Sequence, residues 1–179
     1  MMKNIYLLFL CISFTGISQK KYLTKSGVLN FEASVEAFEE IKASNSNVTA
    51  IFNAANGQIA ALALVKGFRF KNALMEEHFN ENYAESDLYP KAIFKGELVG
   101  FSLDALQISY SIQGTLSFHG ITKPLENVSV EVKSSGNSFT LQGTFEITPN
   151  DFDIEIPKIV SSKIADSVGV FFEFELTEK

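Results

Sequence analysis

From Gln107 to Phe118 the chain alternates without a break. Ile108, Tyr110, Ile112, Leu116 and Phe118 hold one parity, and Gln107, Ser109, Ser111, Gln113, Thr115 and Ser117 hold the other. Successive side chains of a strand point to opposite faces, so this segment has one dry face and one wet face; a helix would smear both sets around its circumference. The pattern recurs at Val128, Val130 and Val132, at Phe139, Leu141, Phe145 and Ile147, and at Val168, Val170, Phe172, Phe174 and Leu176. Gly27–Ser34, Asn47–Asn53, Gln58–Phe70 and Lys91–Val99 are further strand candidates, which makes about eight. Asn56-Gly57 and Ser134–Asn137 carry turn chemistry between strands. The four prolines, Pro90, Pro124, Pro149 and Pro157, are expected at strand ends or in loops, where a missing N–H costs least.

Eight antiparallel strands with a wet outer face suit a sandwich or a closed barrel, and a barrel of that size is either filled by its side chains or holds one small ligand. With 17 Phe in the chain, both outcomes are available. Gly96, Gly114 and Gly143 fall mid-strand at inward parity, which fits either barrel curvature or clearance for a ligand. The inward candidates for a ligand site are Phe31, Leu64, Phe70, Phe94, Ile108, Tyr110, Ile112, Phe145, Phe172 and Phe174; parity is ambiguous over Gln58–Phe70, and the Tyr110 hydroxyl needs a partner if buried. One stretch breaks the strand pattern. Lys71 to Tyr83 places Leu74, His78 and Phe79 on one helical face, as a lid or a plain crossover plug on a barrel end.

The N-terminus reads as an address. Lys3 precedes an apolar run from Ile5 to Phe14, and small residues follow at Gly16 and Ser18. This is the layout of a signal peptide over 1–18, cleaved after Ser18 or Gln19, with one domain over 19–179 and no transmembrane segment in the mature chain. Cys11, the one cysteine, falls inside that leader, so disulfides, thiolate metal sites and cysteine nucleophiles are not expected. The net charge of −6 argues against a nucleic-acid partner.

Little in the sequence points to catalysis. His78 and His119 have no metal-ligand spacing, and His119 is expected to fix the turn that follows it by a side-chain hydrogen bond. No serine sits in a nucleophile elbow. Asp151, Asp153 and Glu155 alternate with Phe152, Ile154 and Ile156, as on the solvated edge of a strand. Arg69 and Lys123 are cations that either meet an anionic headgroup or face solvent. No metal, cofactor or catalytic residue is expected, and no pattern specifies an oligomeric state.

Two segments carry a family resemblance. Phe68-Arg69-Phe70 leads to His78-Phe79 and then to Tyr89-Pro90 and Phe94; later comes Gly114-Thr115-Leu116-Ser117-Phe118-His119-Gly120-Ile121-Thr122-Lys123-Pro124. In order and spacing these resemble the YceI-like family of exported bacterial proteins, over Lys21 to Lys179. The resemblance implies an all-β fold, a single eight-stranded antiparallel lipocalin-like barrel with one short helix between strands. It further implies a non-enzymatic, periplasmic or secreted protein whose interior holds an apolar, isoprenoid-like (polyisoprenoid in some members) lipid. The rival expectation is a solid-cored envelope barrel that acts through its surface.

Overall fold

The computed structural model describes residues 20–36 and 38–179; the expected leader over 1–18 lies outside them. Eight long strands form the described fold: β1 (Lys21–Ser34), β2 (Lys42–Asn53), β3 (Gln58–Leu64), β5 (Lys91–Leu98), β6 (Ser109–Phe118), β7 (Ile121–Ser135), β8 (Ser138–Ile147) and β9 (Ile164–Glu178). A two-residue strand, β4 (Arg69–Phe70), adds to β2. Each long strand pairs antiparallel with the next, and β9 returns to β1, so the sheet closes into an eight-stranded barrel. Closure leaves only short stretches of unpaired edge among the described residues, such as the start of β7 and the outer side of β4.

Alternation decides which way each strand faces. Tyr110 and Ile112, Val128 to Val132, Phe139 and Leu141, and Phe172 to Leu176 all turn their odd or even apolar members into the core. Gly96 and Gly114 are cross-strand partners. A Cβ on Gly96 would lie 2.3 Å from the Gln113 carbonyl oxygen, and one on Gly114 would lie 2.2 Å from that of Lys95. The neighbouring backbone takes the space, so these glycines serve wall curvature, not ligand clearance. At Gly143 the ring of Phe172, its partner across β9, fills the gap.

Three expectations need correction. The candidate strand Gln58–Phe70 breaks after Leu64. The side-chain amide of Asn45, a fully buried residue of β2, donates to the Leu64 carbonyl at 3.0 Å, and the chain then turns through Val65–Gly67 before β4. Pro124 lies inside β7, opposite Thr115 of β6. It is tolerated because β7 pairs with β8 only over Val130–Ser135, so residue 124 has a ladder on one side alone. Asp151–Ile156 is not a strand. Pro149–Phe152 is a short 3-10 turn, ended by Asp153 at φ 53°, and the alternation of burial continues through Ile154 and Ile156 in an irregular segment that lines the barrel end.

The helix is shorter than its pattern suggests. α1 spans Ala73–His78, capped by the Asn72 side chain, which accepts from Leu74 N. The wider π turn Phe79–Tyr83 follows. Of the expected face, Leu74 is exposed while His78 and Phe79 line the barrel end, joined there by Met75 and Tyr83.

Candidate functional site: a cavity under a lid

The two ends of the barrel are built differently. At one end, rings from four strands and the β5–β6 connection interlock. Phe52 packs against Phe101 and Phe139 at 5.1 and 5.4 Å, Phe101 against Tyr110 at 5.4 Å, and Tyr22 edge-on against Phe139 at 4.8 Å. Edge-to-face pairs of this kind add to the area they bury. The Tyr110 hydroxyl finds its partner here, accepting from Gln107 N at 2.8 Å. This end is solid.

The other end is hollow. A cavity of about 440 Å³ lies between the barrel wall and the segments that cross its mouth. Phe31 of β1, Leu116 and Phe118 of β6 and Phe145 of β8 form its wall. Met75, Phe79 and Tyr83 close it from the helix side, and Phe152, Ile154 and Ile156 close it from the β8–β9 connection. Phe31 is the hub of the lid, with its ring 5.2, 5.6 and 5.3 Å from those of Phe68, Phe70 and Phe79. A smaller void of about 70 Å³ continues toward the solid half and shares Leu29, Ala92, Leu116 and Phe145 with the larger one. Glu39, His78, Tyr83 and Lys163 are the charged or titratable side chains on the larger lining. An apolar bore with polar groups confined to a few positions suits a hydrocarbon tail with a small head.

The candidates named from sequence divide accordingly. Phe31, Phe70 and Phe145 line the large cavity. Phe94, Ile112, Phe172 and Phe174 line the small one, with Phe145 common to both. Tyr110 belongs to the solid end. Leu64 and Ile108 do not face inward: they are 53% and 77% exposed. In β3 the inward residues are Ile59, Ala61 and Ala63, so Leu64 has the opposite parity. Ile108 has the right parity but precedes β6, at a bend beyond the last buried layer. The lid residues Met75, Phe79 and Tyr83 and the connection residues Phe152, Ile154 and Ile156 complete the cavity and were absent from the inward set; the alternation over Phe152–Ile156 was the signal available for the second group.

The polar residues singled out earlier mostly brace the lid. Arg69 Nη1 donates to Glu76 Oε1 at 2.8 Å, and Glu76 Oε2 accepts from Phe70 N, so β4 and α1 are tied together. Lys123 is half-buried opposite Leu116 and outside the cavity lining. His119 begins the two-residue β6–β7 turn, where it and Gly120 have φ of 49° and 75°. Its Nδ1 donates to the Phe152 carbonyl at 2.8 Å, and its Nε2 lies 2.9 Å from Glu85 Oε2. The ring therefore ties the turn to two separate loops rather than to the residues that follow it. Among the described residues, no group of three or more His, Cys, Asp or Glu is placed to hold a metal ion, and no helix is long and apolar enough to cross a membrane.

Solved structures share this architecture. A polyisoprenoid binding domain from Saccharophagus degradans, implicated in plant cell wall breakdown, superposes with a TM-score of 0.73 at 15% identity over 90% of this chain and 99% of its own. BcnA of Burkholderia cenocepacia gives 0.70 at 18% identity, over 84% and 96%. A YceI protein of Campylobacter jejuni gives 0.65 at 16%, over 79% and 87%. At such identities the likeness is one of fold. No curated protein sequence matches the chain. The sequence profile of the YceI-like domain, however, matches residues 21–176, nearly the whole of the barrel. The chain belongs to the YceI-like family.

Proposed function

We propose that this protein is an exported, periplasmic or secreted, binding protein that holds an apolar, isoprenoid-like lipid in the cavity at the lidded end, without catalysis. The observation that carries this reading is the 440 Å³ void lined almost wholly by aliphatic and aromatic side chains. That volume falls in the range of small-molecule sites, about 300–1,000 Å³. Each 100 Å² of tail taken from water contributes about 2.5 kcal/mol, so a tail gains affinity without specific polar contacts. An isoprenoid class is favoured by the Saccharophagus degradans relative, which is described as a polyisoprenoid binding domain. The candidate contacts are Phe31, Phe70 and Phe145, with Phe79, Phe118 and Phe152; Phe94, Ile112, Phe172 and Phe174 receive the end of the tail. The rival, a barrel solid throughout, describes only the end filled by Phe52, Phe101 and Phe139.

Native mass spectrometry of the purified protein tests the proposal. The expected result is a lipid adduct that an apolar fluorescent probe displaces. Val168→Phe, which puts a ring into the void from β9, is expected to lower probe affinity about tenfold or more by removing space. A bare mass at low activation, together with no probe binding by the unaltered protein, overturns the reading.

A further inference from the structure

The bore of the barrel narrows between its two voids. Leu29 of β1, Ala92 of β5, Leu116 of β6 and Phe145 of β8 border both the cavity under the lid and the small void beyond it. One side chain from each of four strands therefore makes a neck between the two spaces. Polar chemistry stops at this neck. Glu39, His78, Tyr83 and Lys163 belong to the lid-side cavity, whereas every residue on the small void is apolar. A bound lipid is thereby oriented, with its polar group under the lid and the tip of its tail through the neck.

Beyond the neck, three rings rest on glycines. A Cβ on Gly96 would lie 2.6 Å from Phe94 Cζ, one on Gly143 would lie 2.9 Å from Phe172 Cζ, and one on Gly27 would lie 2.6 Å from Phe174 Cδ1. Each ring takes the place of a missing side chain on the wall, and all three line the small void. Phe172 and Phe174 lie with their centroids 5.2 Å apart. Leu141, the cross-strand partner of Phe174, and Val130, the partner of Gly143, are wholly buried. Packing closes at this layer, and the interlocked rings of the solid end continue from it. The rings are a floor, and its depth is set by where the glycines let them lie.

We propose that this floor is a chain-length gauge: Phe94, Phe172 and Phe174 limit the ligand to one apolar tail of about three isoprene units, roughly fifteen carbons. The inference rests on the apolar-ligand reading and adds a length to it. A carbon of a packed chain fills about the volume that a liquid gives one water, about 30 Å³. On that scale the cavity of about 440 Å³ takes about fifteen heavy atoms and the void of about 70 Å³ about two more. A three-unit tail with a small polar group uses both spaces. Carbons added beyond that length have no apolar surface to meet inside the barrel. They stay at the mouth, in water, and contribute no further affinity.

Displacement of an apolar fluorescent probe from the purified protein by prenyl alcohols of two, three, four and five isoprene units, each below its micelle concentration, tests the gauge. Affinity is expected to rise about tenfold or more from two units to three and to stay level from three to five. Two variants move the floor in opposite directions. Phe94→Ala removes a half-buried ring from the small void, so the step from three units to four is expected to gain about tenfold. Ala61→Leu fills the small void from β3, so the three-unit alcohol is expected to bind about tenfold more weakly while the two-unit alcohol is unchanged. Affinity that climbs about tenfold with every unit through five in the unaltered protein overturns the gauge and leaves the apolar-ligand reading standing. A break that stays at three units in both variants, each shown to be folded by its denaturation curve, does the same. Where one variant fails to fold, the other decides. If neither the probe nor any alcohol binds the unaltered protein, the apolar-ligand reading falls and the gauge falls with it.

Discussion

Gly114 and Asn45 show how single residues hold this wall. A methyl at Gly114 meets backbone on β5 and has no flexible side chain to push aside. Gly114→Ala is expected to destabilise the protein by about 1–3 kcal/mol, read as a lower urea midpoint with unchanged slope. Asn45 spends its buried amide on the Leu64 carbonyl and its oxygen on Asn47 N. Asn45→Ala leaves that carbonyl without its partner, at an expected cost of about 1–3 kcal/mol in the same measurement. Tyr22 is a titrating member of the solid end. Burial, with a further contribution from the Glu178 carboxylate, pushes its phenol above the ordinary value. The folded state then holds the proton longer than the unfolded one. This contribution to stability is complete below about pH 10 and is lost as the pH climbs from there through the folded-state value. Tyr22→Phe is expected to flatten that alkaline loss in denaturation curves taken across the range.

At the scale of elements, the lid is an assembly of pieces that are unstable alone. α1 has six residues, too few to persist in water, and is held by its Asn72 cap, by Glu76 bridging Arg69 and Phe70 N, and by Phe79 against Phe31. Phe79→Ala is expected to weaken binding of an apolar probe about tenfold while costing less stability than Phe139→Ala. A titration with the probe and a denaturation curve on each variant check both halves of this statement. The sequence pattern located the helix but placed Leu74 on its inner face. His78 and Phe79 of that face do line the cavity, with Met75 one α-helical turn before Phe79 and Tyr83 at the end of the π turn, whereas Leu74 is exposed. Over Asp151–Ile156 the reverse holds. The alternation named the correct buried residues, yet the segment bends across the mouth instead of joining the sheet, because Pro149 opens a 3-10 turn and Asp153 ends it.

At the scale of the whole molecule, stability and capacity are divided between the two ends. The rings of Tyr22, Phe52, Phe101, Tyr110 and Phe139 make one end a packed core. The other end leaves its volume empty under a lid of short segments. Phe139→Ala is expected to cost about 3–5 kcal/mol, as for a large buried ring. Loss of a ring that borders an existing void removes fewer contacts. Native-state hydrogen exchange is expected to show the slowest amides around Leu141 and Leu176, with the lid opening well below the global free energy.

The sequence by itself determined the strands and the side on which most of their residues fall, because a period of two is a local property of extended backbone. It also placed the His119 turn and carried the family likeness through Phe68–Phe94 and Gly114–Pro124. Parity says nothing of depth along the barrel axis, so Ile108 could share the phase of Tyr110 and still stand beyond the last buried layer. Nor could it foresee the break that Asn45 accommodates after Leu64. Whether many phenylalanines make a plug or a pocket depends on which strands and loops bring them together. Only the closed tertiary structure decided that one end is full and the other hollow.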